Sequence, residues 1–304
     1  MLSVESVVKR YENVLAVDSL SFQVEDGQIF GLLGPNGAGK STTIRMIMNI
    51  IAPDSGKILL DGRSLGRDAT SRIGYLPEER GLYRKARVGE ILEYLATLKG
   101  ADPGAARKSI DLWLERFGLG EWKNRKVSEL SKGMAQKAQF IGAVAHDPSL
   151  ILFDEPFSGL DPLAQEELLS AMVELKDKGA IVIFSTHIME HAEKICEKIL
   201  LINKGGKVAE GGLAEIKGRY GKNAVQLEFD GDPSFIEKLP FVTEIIAYPR
   251  WIEVELSDPE DSARLLAAVA GQAGAGFKLR RFETVAPSLH KIFLRLAGRG
   301  GEDA

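Results

Sequence analysis

The sequence predicts an α/β fold with a parallel core sheet, an antiparallel β subdomain and a helical subdomain, followed by a small C-terminal α+β domain. Three observations predict it. Unbroken apolar runs at 150–153 and 180–184 alternate with helical stretches, the pattern of parallel strands covered on both faces. Residues 88–147 carry apolar stripes at helical spacing, such as Val88, Ile91, Leu92, Leu95 and Leu98. A polar, glycine-bearing stretch at 217–223 then separates a last segment in which strands and helices alternate anew.

From the N-terminus, Leu20, Phe22 and Val24 alternate with polar residues up to a turn at Glu25, Asp26 and Gly27, which reads as antiparallel strands. A short apolar strand at 28–33 runs into Gly34, Pro35, Asn36, Gly37, Ala38, Gly39, Lys40, Ser41 and Thr42, and a helical pattern follows to 51. The run matches G-x-x-x-x-G-K-[ST], and strand, glycine turn and helix N-terminus is the order that aims backbone N–H groups at a polyphosphate. Lys40 can bridge β- and γ-phosphates, and the Ser41 hydroxyl is a hard oxygen ligand suited to Mg²⁺. Residues 53–56 break the helix, and 57–60 read as a strand ended by Asp61 and Gly62.

In the helical region, Ile110, Trp113, Leu114 and Phe117 make a second stripe, read as helix–helix packing. Ser131 stands as N-cap before a helix expected at 135–145, with Gly133 just inside, so its orphan amides form a second anion site. A buried strand at 149–153 delivers Asp154 at its carboxyl end, where a parallel sheet meets bound phosphates. Asp154 would hold the Mg²⁺ shell, and Glu155 could accept a proton from the attacking water. A helix at 162–178, a strand at 180–185, a helix at 188–197 and a hairpin around Lys204, Gly205 and Gly206 complete a first, nucleotide-phosphate-binding domain, expected at 1–216 with its helical subdomain at about 86–147.

After the linker at 217–223, an accessory domain is expected at 224–297. Its order is strand (224–229), helix (233–239), two strands (242–248, 251–256), helix (259–270), strand (277–283) and helix (287–296), which suggests a ferredoxin-like arrangement. Residues 298–304 read as a frayed tail.

Composition narrows the function classes. Net charge is −4, so no global basic field recruits nucleic acid, and none is expected as a partner. The single cysteine, Cys196, rules out an internal disulfide and fits a reducing compartment. No apolar run is long enough to cross a bilayer, and the N-terminus has no apolar stretch of signal-peptide length. Service to a membrane would therefore run through a partner on the cytosolic side.

Together these elements resemble the ATP-binding-cassette (ABC) family of P-loop NTPases, over about residues 1–212. The resemblance implies that Tyr11 stacks on adenine, that 34–42 is the Walker A loop and that 151–155 closes the Walker B strand. It places the family signature at 130–134, where Ser131 and Gly133 touch phosphate. Ser158, Gly159, Leu160 and Asp161 match a loop that communicates across a dimer, and His187 matches the switch histidine on the γ-phosphate. The implied catalytic set is Glu155, His187 and Lys40, and the implied Mg²⁺ set is Ser41, Glu78 and Asp154. His146, His191 and His290 read as structural. Glu78 stands where the family usually has Gln, and Lys132 and Met134 replace the usual Gly and Gln of the signature. In this family two copies, or a pair of related ATPases, enclose ATP head to tail.

The stretch 75–83, the C-terminal domain and the closing 287–295 look like the ATPase subunit of two-component bacterial exporters of the sodium-extrusion (Nat) type. That likeness implies a separate membrane permease whose cytosolic helix docks near 78–87, with this chain peripheral on the inner face of the cell membrane. The alternatives are a soluble ABC-type ATPase of translation or DNA repair, and a regulatory nucleotide sensor. A single Walker A and no sustained heptads between Lys40 and Asp154 weigh against the first. Glu155 weighs against the second, since a plain binder needs no base.

Overall fold

In a computed structural model, the described residues are 1–79, 81–220, 224–248, 251–258, 260–272, 276–285 and 288–299. They fall into two compact units, Met1–Leu213 and Ala214–Ala304.

The first unit opens with β1 (Leu2–Tyr11) and β2 (Val14–Val24), an antiparallel pair in which Leu2 faces Val24. Next come β3 (Ile29–Leu33), α1 (Lys40–Ile47), β4 (Ser55–Leu60), β5 (Arg63–Ser64) and β6 (Ile73–Leu76). The helical region holds α2 (Val88–Leu98), α3 (Pro103–Arg116) and α4 (Lys132–Val144). The chain returns through β7 (Leu150–Asp154), α5 (Pro162–Asp177), β8 (Ile181–Thr186), α6 (Met189–Ile195), β9 (Lys198–Asn203) and β10 (Gly206–Gly212).

Two sheets result. One is antiparallel, in the order β2-β1-β4-β5; the other runs β10-β9-β3-β8-β7-β6. In the second, β9, β3, β8, β7 and β6 are mutually parallel, and only the edge strand β10 is antiparallel. Strands β3, β7 and β8 are buried at every position, as runs rich in Ile, Leu, Val and Phe require of a sheet covered on both faces. Ile44, Met46 and Ile47 of α1 share one apolar cluster with residues of both sheets, and Phe22 stacks on Phe30 at 5.1 Å between them. The parallel strands end together, so the loops after β3, β7 and β8 converge on one edge.

The second unit starts in α7 (Leu213–Tyr220), which enters the stretch read as a linker; residues 221–223 lie outside the described residues. It continues with β11 (Ala224–Asp230), β12 (Val242–Ala247), β13 (Ile252–Leu256), α8 (Asp261–Gly271), β14 (Lys278–Val285) and α9 (Leu289–Arg299). The sheet order is β12-β13-β11-β14, antiparallel throughout, so the two outer strands flank a central pair that is not consecutive in sequence. This is the ferredoxin-like order with one helix missing. The helix expected at 233–239 is a 3₁₀ turn at Ile236–Lys238, held by Lys238 N–H to the Phe235 carbonyl and Leu239 N–H to the Ile236 carbonyl. The segment is too short between Pro233 and Pro240, and Pro240 disfavours helical backbone at Leu239. The helix starts expected at Pro259 and Pro287 lie outside the described residues, as do 300–304 of the expected tail.

Candidate active site

The loop between β3 and α1 is bent by glycines that the fold itself demands. Gly39 caps α1 with φ +105°, and a Cβ there would sit 2.4 Å from the Ala16 carbonyl oxygen. At Gly34 a Cβ would meet the Ile202 carbonyl at 2.2 Å. At both positions the obstacle to a side chain is the protein's own backbone. At Gly37, φ is +79° and nothing among the described residues lies within 4 Å of a Cβ, so that glycine serves the turn. The loop is pinned from outside by the Gly205 N–H, which donates to the Ala38 carbonyl at 3.0 Å.

A cavity of about 360 Å³ opens beside this loop, lined by Val14 and Ala16 of β2, by loop residues Asn36, Gly37, Gly39, Lys40, Ser41 and Thr42, and by Glu78 and Glu155. Lys40 is buried, and its ammonium donates to the Gly34 carbonyl at 2.8 Å and the Pro35 carbonyl at 3.1 Å. It also lies 3.5 Å from Glu155 Oε1. The Ser41 hydroxyl donates to Asp154 Oδ1 at 3.1 Å, bringing the end of β7 against the first turn of α1. Nearby, burial raises the Tyr75 phenol above its usual value, and the negative charge of Asp154 adds to the shift.

Glu155 follows Asp154 with φ +47°, a left-handed conformation that non-glycine residues avoid. Two contacts of its amide hold it there, to the Ser185 carbonyl at 3.2 Å and the Ser185 hydroxyl at 3.1 Å. On the other side, His187 Nδ1 lies 3.0 Å from Glu155 Oε1. Thus Lys40, Ser41, Asp154, Glu155 and His187 are linked by direct contacts, and Glu78 lines the same cavity.

Other predicted residues stand apart. Tyr11 ends β1 opposite Val14, is 43% exposed and does not line the cavity. Ser131 caps α4, accepting from the Met134 N–H at 3.2 Å, with Gly133 in the first turn. Ser131 and Lys132 line a different cavity of about 450 Å³, together with Arg84. Asp161 caps α5, accepting from the Ala164 N–H at 2.9 Å, which gives it a structural task. His191 is held by Gln165 at 3.1 Å and packs on Phe157, as a structural histidine should. His290 is exposed on α9.

Three residues escaped sequence reasoning. Ser185 touches both carboxylate-bearing residues of the β7 edge. Gln136 and Gln139 of α4 are buried and donate to the Pro156 carbonyl at 3.1 Å and the Glu79 carbonyl at 3.1 Å, so one helix ties down the loops after β7 and β6. Their only sequence signal is polarity on a helix face that is otherwise apolar.

For a divalent cation, Ser41 and Asp154 offer two hard oxygens in contact, with Glu78 on the same cavity wall. Among the described residues no cluster of three or more His, Cys, Asp or Glu could enclose a metal by itself. That donor set fits Mg²⁺, which takes one or two protein oxygens and completes its shell with water and phosphate.

Comparison with known proteins agrees with this geometry. Residues 17–158 match the family model described as ABC transporter, and residues 211–297 match the C-terminal domain of ATP-binding protein DrrA1-3-like. YhaQ of Bacillus subtilis (strain 168), described as an uncharacterized ABC transporter ATP-binding protein, is 42% identical over 298 residues, covering 98% of this chain and 99% of that one. The Nod factor export ATP-binding protein I of Burkholderia pseudomallei (strain 1710b) is 36% identical over 307 residues, covering 97% and 96%. Among solved structures, an ATP-binding subunit of an ABC transporter aligns with a TM-score of 0.68 at 34% identity, over 72% of this chain and 93% of that one. The dimeric cassette MJ0796 aligns at 0.65 and 25% identity, over 70% and 99%. With a phosphate loop, two adjacent carboxylates and these relatives along nearly its whole length, the chain belongs to the ATP-binding subunits of ABC transporters and hydrolyses ATP.

Proposed function

We propose that two copies of this chain close head to tail on Mg²⁺-ATP and that the cycle drives a separate membrane permease in the export direction. The observation that carries the pairing is the separation of two half-sites. Lys40 and Glu155 line one cavity, and the helix end at Ser131 lines another, so neither anion site of a single copy surrounds a triphosphate. A second copy would supply the missing half. The dimeric cassette among the structural relatives is consistent with this arrangement. Export is favoured by relatives described as a Nod factor export protein and as the linearmycin resistance ATP-binding protein LnrL of Bacillus subtilis (strain 168), the latter 32% identical over 307 residues. No helix among the described residues is long and apolar enough to cross a membrane, so the permease would be another chain, with this one on the inner membrane face.

Within the site, Lys40 would exchange the Gly34 and Pro35 carbonyls for phosphate oxygens, and the freed loop amides would cradle the β-phosphate. Tyr11 would cover the adenine, and Ser131 and Gly133 of the partner copy would face the γ-phosphate. Mg²⁺ held through Ser41, Asp154 and Glu78 would stabilise the developing charge on the transferred phosphoryl group. Glu155 would take the proton of the attacking water, with His187 holding its carboxylate and reaching the γ-phosphate.

The test is Glu155→Gln. Turnover should fall by about 10²-fold or more, as for loss of a general base, with ATP still bound. In saturating Mg²⁺-ATP the variant should run as a dimer in light scattering. A variant that binds ATP yet stays monomeric would end the paired reading, and wild-type turnover would end the assignment of the base.

A further inference from the structure

We infer that Ser185 is a positioning residue for ATP hydrolysis: its single hydroxyl sets the carboxylate of Asp154 and the backbone of Glu155 at once. The inference rests on the proposed roles of those two acids and adds the group that aligns them.

Ser185 lies in β8, fully buried, directly across the parallel ladder from Asp154. Its Oγ is 2.5 Å from Asp154 Oδ1 and 3.1 Å from the Glu155 amide nitrogen. A serine hydroxyl has one proton and two lone pairs, and an ionised carboxylate only accepts. The proton therefore goes to Asp154, and a lone pair receives the Glu155 N–H. The Ser41 hydroxyl also donates to Oδ1, so both serine bonds fall on that oxygen, and together they fix the carboxylate plane. Glu155 meanwhile sits at φ +47°, where a non-glycine residue stays only if its surroundings hold it. The Ser185 hydroxyl and carbonyl both receive its amide, so this one residue holds the turn that swings the Glu155 side chain toward Lys40 and His187. Buried hydrogen-bonded groups of this kind orient the atoms that do the chemistry without touching substrate.

A serine that merely satisfies buried polar atoms would affect stability alone. A positioning serine affects Mg²⁺ use and turnover while leaving Mg²⁺-free nucleotide binding intact. The experiment compares Ser185→Ala, Ser185→Thr and Ser185→Cys with wild type and with Glu155→Gln. It measures thermal unfolding, affinity for a fluorescent ATP analogue in EDTA, the Mg²⁺ concentration that half-saturates the gain in that affinity, and kcat. For Ser185→Ala we expect EDTA affinity within about 2-fold of wild type, half-saturating Mg²⁺ raised roughly 5-fold or more, and kcat lowered roughly 10- to 100-fold. Ser185→Thr, which keeps the hydroxyl in a residue suited to a strand, should recover most of both losses. If the alanine variant fails to fold, the near-isosteric cysteine variant decides on the same readouts. Unchanged Mg²⁺ dependence and kcat in the folded variant, with Glu155→Gln inactive, would overturn the role of Ser185; so would a loss that threonine, folded and as stable, leaves unrestored. Wild-type turnover in Glu155→Gln would instead sink the reading beneath it.

Discussion

His187 Nδ1 and Glu155 Oε1 are 3.0 Å apart, joining the loop after β8 to the loop after β7. Because an ionised carboxylate can only accept, Nδ1 carries a proton, and Nε2 can donate to a phosphate oxygen only in the imidazolium form. The pair is asymmetric in its surroundings, since the Glu155 side chain is 9% exposed and that of His187 is 48% exposed. One end is anchored beside Lys40 and the other reaches outward, where a γ-phosphate or a second copy could meet it. His187→Ala should therefore lower turnover by about 10- to 100-fold while nucleotide affinity stays within about 2-fold. Phosphate release beside a nucleotide titration checks both numbers, and full turnover would remove His187 from the reaction.

The phosphate loop offers a paired test of why its glycines are there. Gly39→Ala would press a Cβ to 2.4 Å from the Ala16 carbonyl at φ +105°. Gly37→Ala meets nothing within 4 Å and bears only the cost of φ +79°. The second substitution should cost roughly 1–2 kcal/mol, the usual penalty for a side chain in left-handed backbone. The first should exceed about 4 kcal/mol, because backbone must move. Urea denaturation of the nucleotide-free variants separates them, and equal losses would mean that the steric reading of Gly39 is wrong.

What the sequence made legible was the chemistry carried by contiguous residues. The run from Gly34 to Thr42 and the strand ending in Asp154 and Glu155 announce themselves, because the backbone geometry they need is written in adjacent positions. Ser185 stayed hidden because its meaning depends on register: only once β8 lies beside β7 does it face Asp154. Strand β13 hides its partners in the same way. Glu253 and Glu255 alternate with Ile252, Val254 and Leu256, an alternation typical of a strand with one wet face, yet all five positions are buried. The acids are covered because Lys291 and Arg295, one helical turn apart on α9, reach back to them from nearly forty residues away, a pairing no local pattern displays.

His146 predicts a pH dependence of stability. Burial, with Lys99 nearby, pushes its imidazole down to about 4 from an ordinary value of 6.5; Asp147 opposes the shift. The ring lies near the Ile73 carbonyl without hydrogen-bond geometry, and neither nitrogen has a hydrogen-bond partner among the described residues. A depressed imidazole means the unfolded chain binds more protons between pH 4 and 6.5 than the folded one. Its contribution is thus complete above pH 6.5 and is lost as pH falls toward 4. Discounted for the ring's partial exposure, the loss should be on the order of 1–2 kcal/mol. His146→Leu should flatten the curve of denaturation midpoint against pH in that window. A wild-type slope in the variant would show that another group titrates there.

Lys291 gives the most demanding prediction for the C-terminal unit. Its ammonium lies 2.7 Å from Glu255 and 3.1 Å from Glu253, and all three side chains are buried. Glu255 also pairs with Arg295, but its Oε2 and the Arg295 Nη1 have no hydrogen-bond partner among the described residues, so the two groups do not meet in full bidentate geometry. A buried ion pair adds little over an apolar pair of the same shape, whereas removal of one partner strands the other. Among the described residues, Lys291→Met leaves Glu253 without the only cation seen against it and Glu255 with Arg295 alone. The expected loss is about 3–5 kcal/mol in the unfolding of this unit. Adding Glu253→Gln to Lys291→Met should return part of it, since one stranded charge is gone and Glu255 keeps its arginine. Calorimetry of the full chain reads both variants. If the double variant were no more stable than Lys291→Met, the cost would lie in lost packing of the lysine stem, and the charge argument would fall.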